Sequence, residues 1–195
     1  MDISAALVKQ LREMTGIGIM KCKEALNATG GDLTKAVEFL RKQGLRTAEK
    51  KAGRETSEGA IASYIHSNGK LGVLVEVKCE TDFVARNEEF RQLCRDLCMQ
   101  VAATKPLAIT KEELPDDVLE KEREIYREQF KDKPPQAIDK IIEGKLDAFF
   151  KEKCLLEQPF VKEPKTSIAD HVKNMIAKLG ENITISRFVR LELGE

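Results

Sequence analysis

The sequence lacks the features typical of membrane proteins, exported proteins and nucleic-acid-binding proteins. None of its apolar runs approaches the roughly 18 residues that a membrane span needs. The N-terminal sequence from Met1 to Ser4 does not start the pattern of an export signal, a basic segment followed by an apolar one. We therefore expect a cytoplasmic protein with no membrane partner. Lys and Arg number 33, as do Asp and Glu, so the formal net charge is zero. Because nucleic-acid binders usually carry a basic excess, no direct nucleic-acid partner is expected.

The chain also has few of the residues that build catalytic or metal sites. Its two histidines, His66 and His171, are far apart in sequence, and no hydrolase, zinc-protease or phosphate-loop motif is present. The Gly16–Gly18 segment is too short for a dinucleotide fingerprint. We therefore expect neither an enzyme nor a bound cofactor.

Five cysteines are present, without a CxxC pair, at Cys22, Cys79, Cys94, Cys98 and Cys154. Their odd number and irregular spacing argue against a disulfide framework, and Cys94 and Cys98 have no histidine nearby in sequence. Buried thiols in a reducing compartment, with no metal site, are the expected state.

What the chain does have is enough apolar sequence for a core, at 42 % hydrophobic residues. Residues 1–44 predict three short helices, with Ser4 capping the first, Asp32 capping the third and Gly44 ending the third. The predicted inward stripe of the first helix is Leu7, Val8, Leu11 and Met14. The charged, small-residue segment 45–57 predicts a linker, partly helical at most, so 58–195 would form a second domain.

That second domain predicts an α+β fold: a small antiparallel sheet of about three strands packed with helices. Asn68-Gly69 is typical of a two-residue type I′ turn, which would place Tyr64 opposite Val73 and Ala62 opposite Val75. These residues would share one core-facing side, which Val77 and Cys79 continue. The segment from Ile183 to Leu193 alternates as a further strand. Its predicted inward face is Ile183, Ile185, Val189 and Leu191.

The segment Glu80–Arg86 is unusual, because it joins a predicted strand to a predicted helix without glycine or proline. Phe83 in this connection could fold back onto the core. Alternatively, it could project outward as a binding anchor beside Asp82, since exposed aromatic residues often enter a partner's pocket. The residues alone leave both interpretations open.

Ordered signatures along the chain nevertheless resemble one known family, bacterial translation elongation factor Ts. They are Leu11–Leu26, Glu76–Arg86, Leu155–Val161, Gly180–Ile183 and Arg187–Arg190. The resemblance covers essentially the whole chain. Lys21 and Lys78 depart from it, standing where the family usually has an acidic residue and an asparagine.

This resemblance implies a guanine nucleotide exchange factor that binds elongation factor Tu with GDP, displaces Mg²⁺ and promotes GDP release during translation elongation. It assigns the displacement of Mg²⁺ to Thr81, Asp82, Phe83 and Val84. It also implies that residues 1–44 form a ubiquitin-associated-like domain that grips the GTPase. The positions implied for that contact are Arg12, Ile19 and Met20; the residues themselves require only one of Ile19 and Met20 to point away from a small core.

Two further expectations concern assembly and alternative functions. Longer family members carry two core subdomains and this chain carries one, so a homodimer is expected, with exposed sheet edges as a means of pairing. A binding adaptor with a ubiquitin-associated-like module and no exchange activity is the alternative function. An adaptor function does not explain the Thr81–Val84 signature. A small enzyme, the other alternative, would need a group of catalytic residues that the sequence lacks.

Overall fold

A computed structural model describes residues 3–194 of the chain. The helices are α1 (Ala5–Thr15), α2 (Ile19–Ala28), α3 (Leu33–Lys51), α4 (Asp82–Ala85), α5 (Glu88–Thr104), α6 (Asp116–Gln129), α7 (Pro135–Lys153) and α8 (Ile168–Leu179). The strands are β1 (Glu58–Ile65), β2 (Leu71–Cys79), β3 (Pro159–Phe160), β4 (Glu163–Ser167) and β5 (Ile183–Glu192). The predicted α+β class, with three N-terminal helices before a small antiparallel sheet, is confirmed. Among the helices described, none is both long enough and apolar enough to cross a bilayer.

Helices α1, α2 and α3 enclose a small apolar core of their own. Ser4 caps α1 by accepting from the Leu7 N–H, and Asp32 caps α3 by accepting from the Lys35 N–H, both as favoured by the sequence. The buried residues of this core are Val8, Leu11, Cys22, Ala25, Leu26, Ala36 and Leu40. Met14, which we predicted in the inward stripe, is exposed in the last turn of α1.

Helix α3 is longer than predicted, because Gly44 does not end it. Gly44 is a buried residue inside α3, and a Cβ added to it would lie 3.0 Å from the Cβ of Ala177 in α8. The glycine therefore allows a close approach between two helices and does not act as a C-cap. Helix α3 runs on to Lys51, through the first half of the segment that we predicted as a linker.

The contacts divide the chain into two compact units. One contains the chain up to Ala60, Glu76–Cys94 and Asp170–Ser186; the other contains Ile61–Val75, Arg95–Ala169 and the chain from Arg187 onward. The domain boundaries predicted at residues 44 and 58 stay a prediction.

Strands β1, β2 and β5 form the three-stranded sheet, with β2 in the centre. Val73, Val75, Val77 and Cys79 are buried on one face of β2, as predicted. The His66 N–H donates to the Leu71 carbonyl (2.8 Å), which keeps the expected register. The type I′ turn is wrong: Gly69 has a positive φ, whereas Asn68 does not, and the Asn68 side chain instead accepts from the Lys70 N–H.

Strand β5 differs from its predicted facing in its second half. Ile183 is buried, but Ser186 and Arg187 are both exposed, and the alternation changes phase there. Val189 and Leu191, predicted inward, are consequently exposed. A separate two-stranded sheet of β3 and β4 was not predicted, because two residues containing a proline carry no alternation signal.

Candidate partner-binding site

The segment after β2 forms one helical turn that presents an aromatic side chain outward. Thr81 has an extended backbone and caps α4 by accepting from the Val84 N–H. Phe83 is 81 % exposed, whereas Val84 is only 9 % exposed. Of the two interpretations left open by the sequence, the structure therefore excludes the one in which Phe83 folds onto the core.

Asp82 lies beside Phe83 and pairs with a neighbour on the same turn. Its Oδ2 is 2.9 Å from Nη2 of Arg86, and both side chains are substantially exposed. Over residues 3–194, no three His, Cys, Asp or Glu side chains gather in a way that would hold a metal ion. A single carboxylate such as that of Asp82 is a poor Mg²⁺ site.

The base of α4 is tied to the loop between α8 and β5. The Thr81 N–H donates to Glu181 Oε2 (3.0 Å), and the Thr81 hydroxyl donates to Glu181 Oε1 (2.6 Å). One residue earlier, Glu80 Oε1 accepts from the Asn182 N–H (2.6 Å). This backbone hydrogen bond is the main reason that the pKa of Glu80 lies below its ordinary value.

Cys79, the last residue of β2, also contacts this region. Its thiol is buried and donates to the Thr81 carbonyl (3.2 Å). Burial, and then the negative charge of Glu181, raise the pKa of Cys79 to about 11. The protonated thiol is therefore the stable form, and it acts as a donor. All five cysteines of the chain are buried thiols, as expected.

The second set of implied residues lies at the junction of α1 and α2. Arg12 is exposed in the last turn of α1, which ends at Gly16 in a left-handed conformation. Ile19 and Met20 open α2 and are 52 % and 68 % exposed, so both point outward where the sequence required only one. A groove beside them is lined by Arg12, Ile19 and Lys23, among others.

Met14 is a neighbour of this set that sequence reasoning missed. It is 60 % exposed, at the end of the same helix as Arg12. Its position in the last turn of α1, just before a glycine break, could have indicated exposure, because the end of a helix often extends beyond the core that the helix covers.

The two lysines that depart from the family pattern have partners close by. Lys21 Nζ donates to the Ala177 carbonyl (3.4 Å), and Lys78 Nζ lies 4.0 Å from Glu76 Oε1.

A family model described as "Elongation factor TS" matches residues 41–195, which is most of the chain. The chain belongs to the elongation factor Ts family. Proteins named elongation factor Ts are similar to it over their full length. That of Thermodesulfovibrio yellowstonii is 57 % identical over 196 residues, covering 100 % of this chain and 98 % of that protein. The Fervidobacterium nodosum protein is 57 % identical with 100 % of both covered, and the Thermotoga maritima protein is 55 % identical with 100 % and 98 % covered.

Membership of the elongation factor Ts family makes this protein a translation elongation factor, active in protein biosynthesis. The family match begins at residue 41. The full-length relatives extend the likeness over the N-terminal helices that carry Arg12, Ile19 and Met20.

This elongation factor Ts family member has a further exposed surface on its sheet. The strand register places several exposed apolar side chains on the face opposite the buried valines of β2. They are Ile61, Ile65, Leu74, Val189 and Leu191. An apolar patch of this kind is typical of a protein–protein contact.

Proposed function

We propose that the chain is a guanine nucleotide exchange factor in the cytoplasm, which binds elongation factor Tu loaded with GDP, displaces Mg²⁺ and so releases GDP during translation elongation. The observation that carries the proposal is Phe83, a large aromatic side chain that is 81 % exposed on a capped helical turn. Membership of the elongation factor Ts family supports the choice of partner. Nothing in the fold of the chain itself requires an exposed phenylalanine there.

The proposed mechanism works through the metal. In a GTPase, phosphate-loop amides and Mg²⁺ together neutralise the charge of the bound diphosphate. Phe83 would enter between side chains of the partner and shift those that support the metal. Weaker metal binding leaves the diphosphate charge less neutralised, so GDP dissociates faster. Thr81 and Val84 fix the turn, and Asp82 offers a carboxylate for a positioning hydrogen bond.

The N-terminal helices would supply affinity in this scheme. Arg12, Ile19 and Met20 offer one cation and two exposed apolar side chains, the residue types that a ubiquitin-associated-like module can use to grip the GTPase domain. Replacing Ile19 and Met20 together by alanine should raise the concentration of the chain needed for half-maximal exchange. The maximal rate should be largely retained, because α4 is unchanged. Leu107→Ala, at another exposed apolar residue, is the matched control.

A homodimer forms the last part of the proposal. The contact would use the exposed apolar face of the sheet, because a two-fold axis places the same face of two copies against each other and so covers both. This face is made by Ile61, Ile65, Leu74, Val189 and Leu191. Such a dimer would give each GTPase access to two cores.

The experiment that tests the exchange function follows fluorescent GDP leaving elongation factor Tu after addition of excess unlabelled GDP. Substoichiometric amounts of the chain should accelerate the release of many equivalents of GDP, because an exchange factor is not consumed. Binding without any acceleration would leave the adaptor function instead.

A further inference from the structure

The loop between α8 and β5 makes an unusual contact with the base of α4. Helix α8 ends at Leu179, and the positive φ of Gly180 turns the chain so that Glu181 and Asn182 face the end of β2. Both carboxylate oxygens of Glu181 are used on a single residue, accepting from the backbone N–H and the hydroxyl of Thr81 at 3.0 and 2.6 Å. Two charge-assisted hydrogen bonds to one residue restrain both its position and its rotation.

Thr81 in turn determines where α4 begins. Its Oγ1 donates to Glu181 and also accepts from the Val84 N–H (3.5 Å), so the two contacts form a chain from the carboxylate into the first turn. Helix α4 has four residues, too few to be stable by itself, since the first turn of a helix is costly to form. The direction of Phe83 therefore depends on groups outside the turn.

We propose that Glu181 is a positioning residue for the Phe83 wedge: it holds Thr81, and through Thr81 it aims Phe83 at the partner. This inference rests on the proposed exchange function, because it concerns how the same site is kept ready. Glu181 acts through Thr81 and need not touch the partner.

A second set of hydrogen bonds holds the loop, so the effect of Glu181 on positioning can be separated from its effect on folding. Asn182 is buried, its N–H donates to Glu80, and its side-chain amide donates to the Arg54 carbonyl (2.8 Å). The loop is therefore held in place independently of the Glu181 carboxylate. Glu181→Gln should fold, but it loses the carboxylate charge and one of the two acceptors, so its amide NH2 faces the Thr81 hydroxyl, which must turn from donor to acceptor.

The kinetic test measures GDP release from elongation factor Tu at increasing concentrations of each variant. Glu181→Gln should lower the maximal rate by roughly tenfold or more, since small misplacements of a reacting group cost up to about a hundredfold. The half-saturating concentration should change less than about twofold. The matched control is Glu120→Gln, whose carboxylate pairs with Arg123 on the same helix, α6; it should behave as the natural chain.

A second readout follows the wedge without the partner. The chain has no tryptophan, so Phe83→Trp gives a single tryptophan at the proposed wedge, which can be excited apart from the two tyrosines. In this background, Glu181→Gln should increase the fast loss of fluorescence anisotropy that reports local motion, while the melting temperature stays close to that of Phe83→Trp alone. Glu120→Gln should leave the anisotropy unchanged.

The outcomes separate the two proposals. If the natural chain accelerates release and Phe83→Ala slows it, but Glu181→Gln has the natural maximal rate, the positioning role is refuted and the exchange function stands. If no chain accelerates release, the exchange function fails, and unchanged anisotropy would then refute the restraint of Phe83 as well. Glu181→Gln could instead lower the rate together with a large fall in melting temperature, while the anisotropy stays unchanged. That result would make Glu181 a structural residue and overturn the proposal.

Discussion

Replacing Phe83 by alanine is expected to slow GDP release strongly while leaving the chain almost as stable as before. The side chain is 81 % exposed. Of about 200 Å² of phenylalanine surface, about 40 Å² is thus covered by the fold and about 160 Å² is available to a partner. At about 25 cal/mol per Å², the fold gains about 1 kcal/mol from Phe83, and the partner contact could gain about 4 kcal/mol at most.

These magnitudes set the expected results. A loss of about 4 kcal/mol in the displaced state corresponds to roughly a thousandfold in rate, so a ten- to thousandfold slower release is expected. A loss of about 1 kcal/mol in folding lowers the melting temperature by about 2–4 °C in a chain of this size.

Phe90→Ala is the matched control, because Phe90 is fully buried at the start of α5. It should cost about 3–5 kcal/mol of folding free energy. The assay combines thermal melting with stopped-flow release of fluorescent GDP, expressed per folded molecule. A sharp fall in melting temperature for Phe83→Ala, with unchanged exchange per folded molecule, would refute the wedge.

Three further predictions concern assembly, backbone and pH. Leu191→Glu, on the exposed sheet face, should convert the expected dimer to a monomer in analytical ultracentrifugation, because it buries a charge in an apolar contact. Gly59→Ala should cost about 1–3 kcal/mol of folding free energy in denaturant titrations. The φ of Gly59 is +152°, and a Cβ added there would lie 2.2 Å from a backbone carbonyl oxygen of β2. Gly53→Ala is the control and should cost much less, because an added Cβ would meet open space. Glu80 has a pKa lowered from 4.5, chiefly by the Asn182 N–H. Its contribution to stability is therefore present above pH 4.5 and lost as the pH falls further, so the difference in melting temperature between Glu80→Gln and the natural chain should shrink below pH 4.5.

Each of these has a result that would contradict it. Leu191→Glu sedimenting like the natural chain would exclude the sheet face as the dimer contact, with Leu107→Glu as the control for an added surface charge. Equal stability of the two alanine variants would mean that β1 relaxes at Gly59 without cost. A Glu80→Gln difference that stays constant from pH 7 to pH 3 would show that the ionised carboxylate does not stabilise the fold.

Much of the fold could be predicted because local signals agree with it. Ser4 and Asp32 cap the helices that they were expected to cap, and the alternation of β2 identified its buried face correctly. Prediction failed where tertiary contacts give a residue a role different from the one that its local sequence indicates. Gly44 is a glycine in a plausible C-cap position, but its role is to let α8 approach.

The orientation of the site could not be predicted from its own segment. Helix α4 is one turn long, so its sequence shows no periodicity, and the turn that carries the exposed Phe83 begins at its capping residue. That residue, Thr81, is held by Glu181, which lies 100 positions along the chain. The resemblance predicts that Thr81–Val84 is a functional segment, and this stays a prediction; the contact with Glu181 became visible only in three dimensions.

The central claim, that the chain weakens GDP by acting on the metal, is tested most directly by its own affinity for elongation factor Tu. Binding should be titrated at several fixed GDP concentrations, with and without excess Mg²⁺. Coupling between two ligands is reciprocal, so a chain that weakens GDP must itself bind more weakly as GDP increases. The account predicts that affinity falls with GDP, and falls further with Mg²⁺. An affinity that is independent of both would contradict it.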